Sequence, residues 1–396
     1  MRRYLEKKSA TLRERGGSPG KPIAPNDVYL PDSLYPEALV SEEDFEDFEA
    51  HMDYLSSPRC NMGRHIAPTI IEWGFGSSVN SLVKPTMHAL KYGYCLKEPH
   101  GFMKYNCPSW KTLFLPISTP CNISVERTSL HYTALEDDSN CAEVFSRPTS
   151  FLKGGQPKLF FSKDYSNCAK MYSYSLNGEE ILPKQHEIPF FFSVSFILRH
   201  LLRPSEDLQQ QINEQKQKMN WPSKGTPILG LHYRAGDSCL EQEGDLGRKC
   251  DSFDKYMEFV DLLAPKYNIT HVYLATDSAK VLKTLDQYPK YTFHYVDSIG
   301  RGGFRNNVPI DQLLYYGLLD GCKEAHDAMF DMHFLGQTDA FIGKFSSNID
   351  RVAYNLQCGR TRTYQPRISL DNEWCFDFGV RSRIDAFHKK GEKLYC

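Results

Sequence analysis

Apolar and polar stretches alternate in a regular order along the second half of the chain, from residue 226 to residue 360. Short runs rich in β-branched and aromatic residues predict strands, and they are TPILGLHY, THVYLATD, YTFHYVDS and AFIGKFSSN. Segments with helical apolar spacing alternate with them, and they are FDKYMEFVDLLAPKY, SAKVLKTLDQYP, PIDQLLYYGLLDGCKEAHDAMFDMHFLGQTD and SNIDRVAYNL. Strands that alternate with helices indicate an α/β fold with a parallel sheet and right-handed crossovers.

The first half of the chain has a weaker pattern. IAPTIIEW predicts an extended segment, GFGSS a glycine turn and VNSLVKPTMHALKYG a helix, which together start an α/β unit. FFFSVSFILRHLL predicts another helix, which Pro204 ends before Ser205 starts the next one. The acidic run SEEDFEDFE indicates a tail or a solvated helix, and residues 100–180 predict loops.

These patterns divide the chain into four predicted parts. They are a charged tail or short stem (1–55), an N-terminal α/β domain with a helical linker (56–225), a second α/β domain (226–360) and a C-terminal extension (361–396). The length of 396 residues is sufficient for this arrangement, because domains most often contain about 100–150 residues.

The charge balance excludes some classes of function. With 47 basic and 49 acidic residues the net charge is −2, which predicts binding to neither nucleic acid nor an anionic membrane surface. No apolar run approaches the roughly 20 residues of a membrane span, and the basic N-terminus lacks the apolar segment of a signal peptide. We therefore expect any membrane attachment to come from an anchor that is not present in this chain.

The cysteines and sequons bear on the compartment. The chain has 12 cysteines, without a CxxC pair or a Cys/His zinc spacing. Their even number favours disulfides in an oxidising compartment, and free buried cysteines are an alternative that stays open. Asn122 and Asn268 each begin a sequon and are candidate N-glycosylation sites.

Polar residues follow three of the predicted strands. These strand tips are His232–Asp237, Thr276–Asp277 and Phe345–Asn348. Ligands of open parallel sheets bind beyond the carboxyl ends of the strands, so we expect the three tips to form one site. At any one tip a structural role is the favoured interpretation, such as a salt bridge between Arg234 and Asp237 or a helix N-cap at Ser346. The convergence of three tips favours a ligand site.

The residue types at the tips suit a nucleoside diphosphate. The guanidinium of Arg234 matches phosphate oxygens bidentately and keeps its charge. Ser346 and Ser347 open a predicted helix, where hydroxyls and free N–H groups bind anionic oxygens without a metal. Asp277 can accept hydrogen bonds from a base or a ribose. The GxGxxG, GxxxxGK[ST], GxSxG, HExxH and Asp-x-Asp patterns are all absent, so an arginine-held diphosphate without a metal is the predicted ligand.

In their order along the chain, the tips resemble the three motifs of the eukaryotic α-1,6-fucosyltransferase family, which adds core fucose to N-glycans. The resemblance covers about residues 60–360 and includes WGFGSSVNSLVKPTMHALKYG, FFFSVSFILRHLLRP, VYLATDSAKVLKTLDQYPKY and MFDMHFLGQTDAFIGKFSSNIDRVAYNL. It implies a B-type glycosyltransferase with two Rossmann-like halves, in which residues 226–360 bind GDP-β-L-fucose. It also implies an inverting reaction that needs no metal or other cofactor, and residence in the Golgi lumen.

The resemblance further implies roles for single residues. Arg234 matches the arginine that binds the diphosphate, and it is the first candidate catalytic residue. The other candidate donor-binding residues are His232, Asp237, Tyr256, Asp277, Asp331, Ser346, Ser347 and Asn348. Cys60 and Cys121 lie at places that resemble a disulfide pair of the family.

The loop after the first tip departs from the family pattern. Ala235 stands where the family has a second arginine, and the loss of that charge weakens stabilisation of the departing GDP. Cys239 and Cys250 bracket the longer loop and are candidates for a disulfide. Gln242 falls at the place of the catalytic glutamate, and an amide cannot act as a general base. The candidate bases are its neighbours Glu241, Glu243 and Asp245, among which Glu243 is marginally favoured.

We therefore predict a fucosyltransferase that uses GDP-fucose and a glycan or glycoprotein acceptor, most similar to enzymes of α-1,6 core fucosylation. One alternative is a protein O-fucosyltransferase or another sugar-nucleotide transferase, because HYRAGD resembles the single-arginine motif of the former. Another alternative is a non-catalytic relative that binds sugar nucleotides or glycans, which Ala235 and Gln242 favour.

Overall fold

The computed structural model describes most of the second half of the chain and parts of the first half. The described residues are 27–57, 60, 65–66, 68, 74–92, 94–99, 105–117, 170–173, 184–235, 251–299 and 310–376. Statements about structure refer to these residues.

Strands and helices alternate along these ranges. The strands are β1 (Asp27–Tyr29), β2 (His65–Ile66), β3 (Cys95–Leu96), β4 (Lys170–Ser173), β5 (Lys184–Glu187), β6 (Ile228–Tyr233), β7 (His271–Thr276), β8 (Thr292–His294), β9 (Ala340–Gly343) and β10 (Arg367–Ser369). The helices are α1 (Glu42–Leu55), α2 (Phe75–Asn80), α3 (Val83–Tyr92), α4 (Phe190–Leu201), α5 (Glu206–Lys218), α6 (Phe253–Leu263), α7 (Ala279–Leu282), α8 (Ile310–Tyr315), α9 (Gly321–Gly336) and α10 (Asn348–Thr361). None of these described helices combines the length and the apolar character that a membrane crossing requires.

Six strands form the main sheet, in the order β1-β10-β9-β6-β7-β8. The central strand β6 pairs in parallel with β7 and with β9, and all six of its residues are buried. Neighbouring residues of β7 belong to different cores, since Val272 lies in the cluster that contains residues of α6 and Tyr273 in the cluster that contains residues of α9 and α10. Burial on both faces explains why these strands are apolar along their whole length. The structure confirms the predicted α/β class and the mostly parallel sheet.

The sheet extends beyond the predicted range 226–360 on both sides. β10 pairs in parallel with β9, and β1 pairs antiparallel with β10 at the edge. The guanidinium of Arg367 in β10 donates a 2.7 Å hydrogen bond to the carboxylate of Asp27 in β1. Strands of three residues are too short to show a period of two, which is why the sequence did not reveal them. The domain boundaries themselves stay predictions.

The acidic run near the N-terminus is a helix, as one of the two predicted alternatives has it, but this helix is solvated on one face only. It belongs to α1, in which Phe48, Met52 and Leu55 are buried. The rings of Phe45 and Phe48 lie 4.9 and 5.4 Å from the ring of Phe196 in α4. The apolar residues recur at helical spacing between the acidic ones, so α1 buries one face and exposes the other.

Other predicted elements differ in their ends. The predicted glycine turn GFGSS is instead the start of α2, with Gly74 as its N-cap. The long helix predicted between β8 and β9 is interrupted after α8, where Gly317 has a φ of +65°. A left-handed residue cannot continue a right-handed helix, and glycine adopts that conformation without steric cost. The helices at FFFSVSFILRHLL and after Ser205 are confirmed, and the Ser205 hydroxyl accepts the expected capping hydrogen bond from the backbone N–H of Leu208.

The predicted pairing of Cys60 with Cys121 is wrong, because Cys60 forms a disulfide with Cys95. β2 and β3 pair in parallel, with His65 opposite Cys95, and this pairing brings the two cysteines together. A second disulfide joins Cys107 to Cys322 across 215 residues of sequence. Only tertiary contacts select these partners, so cysteine spacing did not predict them.

The first turn of α9 is packed directly against an N-terminal segment. A Cβ atom on Gly321 would lie 2.6 Å from the carbonyl oxygen of Tyr105 and 2.8 Å from its Cα. The neighbouring Cys322 carries the disulfide to Cys107, so residues 105–117 are held at this end of α9. Because α9 leads back to the amino end of β9, its first turn lies toward the carboxyl edge of the sheet.

We expect Gly321→Ala to lower the free energy of unfolding by about 1–3 kcal/mol, because its methyl group would overlap backbone atoms that cannot rotate away. Urea unfolding measures the change. The matched control is Gly74→Ser, since a Cβ at Gly74 meets no atom within 4 Å and serine is a favoured N-cap. Equal stability of the two variants would contradict the tight contact at Gly321.

Candidate functional site

Strand tips meet at the carboxyl edge of the main sheet. Tyr233, the last residue of β6, is paired with Thr276, the last residue of β7, and β9 lies parallel on the other side of β6. The backbone N–H of Ala235 donates a 2.8 Å hydrogen bond to Oδ1 of Asp277. Arg234, which is half-buried, directly follows β6 at this edge. The predicted convergence of the three tips is confirmed, while the roles of their residues stay predictions.

A buried carboxylate that the sequence analysis missed contacts the first tip. Nδ1 of His232 lies 2.8 Å from Oδ2 of Asp350, in the first turn of α10. The two residues are 6% and 1% exposed, so the contact is shielded from water. A Ser-x-x-Asp spacing from Ser347 to Asp350 marks a helix N-terminus and was the available signal.

Several groups hold the Asp350 carboxylate in place. Its Oδ1 accepts a 3.3 Å hydrogen bond from the backbone N–H of Lys344, and its own backbone N–H donates to the Ser347 hydroxyl. Its position in the first turn places it at the positive end of the helix dipole, which favours a negative charge. A Cβ on Gly343 would lie 2.1 Å from Oδ1, so only glycine leaves room for the carboxylate at this point of β9.

The pKa of His232 reflects opposing influences. Burial alone lowers it, because a charged ring loses its hydration. The negative charge and hydrogen bond of Asp350 raise it, Asp331 raises it further, and the charge of Arg234 lowers it. The attraction to the two carboxylates prevails, and the pKa of His232 is raised above its ordinary value.

A largely buried ion pair lies beside the third tip. Nζ of Lys344 is 2.7 Å from Oδ2 of Asp251, and their side chains are 15% and 9% exposed. The same ammonium lies 5.9 Å from the ring centre of Tyr256. The buried ring of Tyr256 packs edge-on against the ring of Tyr233, with the ring centres 5.1 Å apart. It therefore supports the last residue of β6. Its predicted contact with a donor stays a prediction.

The third tip forms the start of α10. The Ser347 side chain is the N-cap of this helix, and the neighbouring Ser346 donates its backbone N–H to Asp371 at 3.4 Å. The N-cap is therefore Ser347 and not Ser346. The side-chain oxygen of Asn348 accepts a hydrogen bond from the guanidinium of Arg351.

Asp331 lies on α9 and faces the sheet. Its carboxylate accepts a 2.7 Å hydrogen bond from the hydroxyl of Tyr273 in β7. Its negative charge is one of the influences that raise the pKa of His232.

A helix of the N-terminal half packs closely against the third strand tip. A Cβ on Gly76, near the start of α2, would lie 2.7 Å from the backbone N of Ile349. α2 therefore lies directly against the first turn of α10. The glycines of GFGSS were the available sequence signal. The sequence alone did not show that α10 packs against one of them.

Several predicted residues lie outside the described residues. They are Cys121, Asn122, Asp237, Cys239, Glu241, Glu243, Asp245 and Cys250. The described residues on either side of residues 236–250 both lie at the sheet edge, since Ala235 contacts Asp277 and Asp251 contacts Lys344. Asn268 is exposed, with a φ of 55°, so its predicted modification lies on the surface. Within the described ranges, no group of three or more His, Cys, Asp or Glu side chains is placed to hold a metal ion.

Comparison with protein families gives a match over most of the chain. A family model of the α-(1,6)-fucosyltransferase N- and catalytic domains matches residues 48–372. The α-(1,6)-fucosyltransferase of Drosophila melanogaster is 24% identical over 263 residues, which are 64% of this chain and 37% of that relative. The chain thus spans little more than a third of the length of the curated relative it matches.

Comparison with solved structures gives weaker likenesses. The fucosyltransferase NodZ from Bradyrhizobium is 15% identical with a TM-score of 0.36, over 74% of this chain and 92% of that chain. POFUT1 in complex with GDP-fucose is 14% identical with a TM-score of 0.30, over 45% of this chain and 50% of that chain. These scores are low, so the family assignment rests on the match over residues 48–372.

We expect the Lys344–Asp251 pair to show a coupling free energy of about 1–3 kcal/mol in a double-mutant cycle for unfolding, because both side chains are largely buried. The variants are Lys344→Met and Asp251→Asn, measured singly and together by urea unfolding. The control is the exposed pair of Lys290 and Asp261, which lie 3.6 Å apart and should couple by less than about 0.5 kcal/mol. Equal coupling in the two pairs would show that Lys344 and Asp251 are solvated.

Proposed function

This chain belongs to the α-(1,6)-fucosyltransferase family, and from that premise we propose that it transfers L-fucose from GDP-β-L-fucose to a glycan acceptor. We propose inversion at the anomeric carbon, a B-type architecture with two Rossmann-like halves, and α-1,6 core fucosylation of N-glycans as the first linkage to test. The family match and the mostly parallel sheet support this proposal.

The observation that carries the proposal is the meeting of the strand tips at one edge of the sheet. This edge presents Arg234 after β6, Asp277 after β7 and the first turn of α10 after β9. A guanidinium beside a helix N-terminus suits the two phosphates of a sugar nucleotide. The carboxylates of Asp277 and Asp331 suit hydrogen-bond donors on the ribose or the base.

In the proposed donor complex, Arg234 holds the diphosphate with two parallel hydrogen bonds. Ser346, Ser347 and Asn348 supply hydroxyl, amide and backbone N–H groups to the phosphate oxygens. The fixed charge of Arg234 stabilises the negative charge that builds up on GDP as the sugar leaves, and such preorganised donors cost no reorganisation during the reaction. We propose that these groups take the place of a metal.

The proposed chemical step is a single displacement. A carboxylate among residues 236–250 removes the proton of the acceptor hydroxyl, and Glu243 is our first choice. The acceptor oxygen attacks the anomeric carbon of fucose from the face opposite to GDP. The carbon–oxygen bond to the diphosphate breaks, and GDP leaves with the electron pair of that bond. Inversion of a β-linked donor gives an α-fucoside.

The disulfides support an oxidising compartment for the reaction. Cys60–Cys95 and Cys107–Cys322 connect different parts of the described chain, and disulfides persist where thiols are not kept reduced. We propose the Golgi lumen, where N-glycan acceptors occur.

We expect Arg234→Ala to weaken the binding of GDP-fucose by about 10- to 100-fold, because hydrogen bonds between charged groups are lost. Isothermal titration calorimetry without divalent metal measures the affinity. The matched control is Arg203→Ala, which removes an arginine paired with Asp53 on the surface and should leave the affinity unchanged. Wild-type protein that does not bind GDP-fucose would overturn the donor assignment.

We expect one of Glu241→Gln, Glu243→Gln and Asp245→Asn to lower turnover by about 100- to 10,000-fold without changing the affinity for GDP-fucose, because only the base is lost. Release of GDP in the presence of N-glycan acceptors measures turnover.

Ala235 favours a second candidate function, a sugar-nucleotide-binding protein without catalysis. Donor binding without turnover on any acceptor would select that second function.

A further inference from the structure

The contact between His232 and Asp350 fixes which nitrogen of the imidazole faces a ligand. Nδ1 lies 2.8 Å from Oδ2 of Asp350, and both residues are buried. Among the residues that the structure describes, Nε2 of His232 has no hydrogen-bond partner. Asp350 cannot turn away easily, because Gly343 lies against its Oδ1 and the backbone N–H of Lys344 donates to that same oxygen.

The charged groups around His232 come from several elements. Asp350 approaches from α10, Asp331 from α9, and Arg234 follows on β6 itself. The half-buried Asp371 after β10 and the buried Tyr256 of α6 both interact electrostatically with Asp350. Two carboxylates therefore act on the ring directly and one arginine opposes them, and the pKa of His232 is raised as a result.

The hydrogen bond to Asp350 determines what each protonation state offers to a phosphate. In the neutral ring, Nδ1–H donates to Asp350 and Nε2 carries a lone pair, which repels a phosphate oxygen. In the imidazolium both nitrogens donate, so the ring bonds Asp350 and a phosphate oxygen at the same time. Beside an ionised Asp350, only the charged ring donates to the carboxylate and to a phosphate oxygen together.

We propose that Asp350 is a positioning residue that holds His232 as an imidazolium toward the diphosphate of the donor, and that this ring supplies the positive charge that Ala235 does not. The inference rests on the proposed donor site. His232 keeps its proton during the reaction, and its Nε2–H stabilises the charge that develops on the departing GDP. The buried Asp350 takes no part in proton transfer.

The test is the pH dependence of GDP-fucose affinity, measured by calorimetry on the whole chain. A terminal phosphate titrates near pH ~6, whereas the diphosphate diester of GDP-fucose has no such proton, so GDP-fucose and not GDP is the probe. The charged ring is present below the pKa of His232 and is lost above it. We therefore expect the affinity to fall as the pH rises, by up to about tenfold for each pH unit above that pKa.

Matched variants separate the positioning role of Asp350 from the direct role of His232 in binding the diphosphate. In Asp350→Asn the ring loses its counter-charge, so we expect the affinity to fall at lower pH than in wild type and to recover in acid. In His232→Gln we expect a weaker affinity without this pH dependence. The control is Asp339→Asn, which removes a mostly buried carboxylate at the amino end of β9, where it accepts from the backbone N–H of Ile228. It should leave the pH profile of wild type unchanged.

The outcomes distinguish the two proposals. Absence of GDP-fucose binding at every pH overturns both the donor site and this inference. Binding that does not depend on pH, or a profile that Asp350→Asn leaves unmoved, overturns the inference alone. If Asp350→Asn does not fold, the ¹⁵N shifts of the His232 ring in wild type decide. A ring that is mostly neutral at pH 6.5, the ordinary pKa of histidine, overturns the inference.

Discussion

The parallel pairing of β6 with β7 and β9 is the constraint on which the site depends. Parallel strands share one direction, so whatever follows them is delivered to the same edge. His232, Asp277 and Asp350 are far apart in sequence, and this pairing alone brings the segments that carry them together. Because described helices pack on both faces of the sheet, a ligand reaches β6 at an edge of the sheet without disrupting the core.

The buried carboxylate of Asp350 connects the fold to the chemistry of that edge. An isolated buried carboxylate is unstable in a protein interior. Here the His232 ring, the backbone N–H of Lys344 and the dipole of α10 offset the lost hydration, and Gly343 leaves the space that the carboxylate occupies. The start of α10 thus both caps the helix, through Ser347, and supports the first strand tip, through Asp350. A substitution in the cap would therefore affect the strand tip, and one at the tip would affect the cap.

The N-terminal half completes the edge through backbone contacts. α2 lies against the first turn of α10 at Gly76, and residues 105–117 lie against the first turn of α9 at Gly321. The disulfide between Cys107 and Cys322 fixes the second of these contacts. Both glycines are positions where any Cβ would separate the elements. The two halves of the chain therefore meet at the helix N-termini that border the site.

The sequence by itself determined the class of fold, most of the helices and strands of the second half, and the three strand tips, because hydrophobic periodicity and polar strand ends are local properties. It also identified Ser347 as part of a helix start through residue type alone. Only the tertiary structure decided that Cys60 pairs with Cys95, that α1 buries a face, and that Asp350 reaches His232. These contacts join residues distant along the chain, and no local pattern records which distant partner a cysteine or a carboxylate will meet.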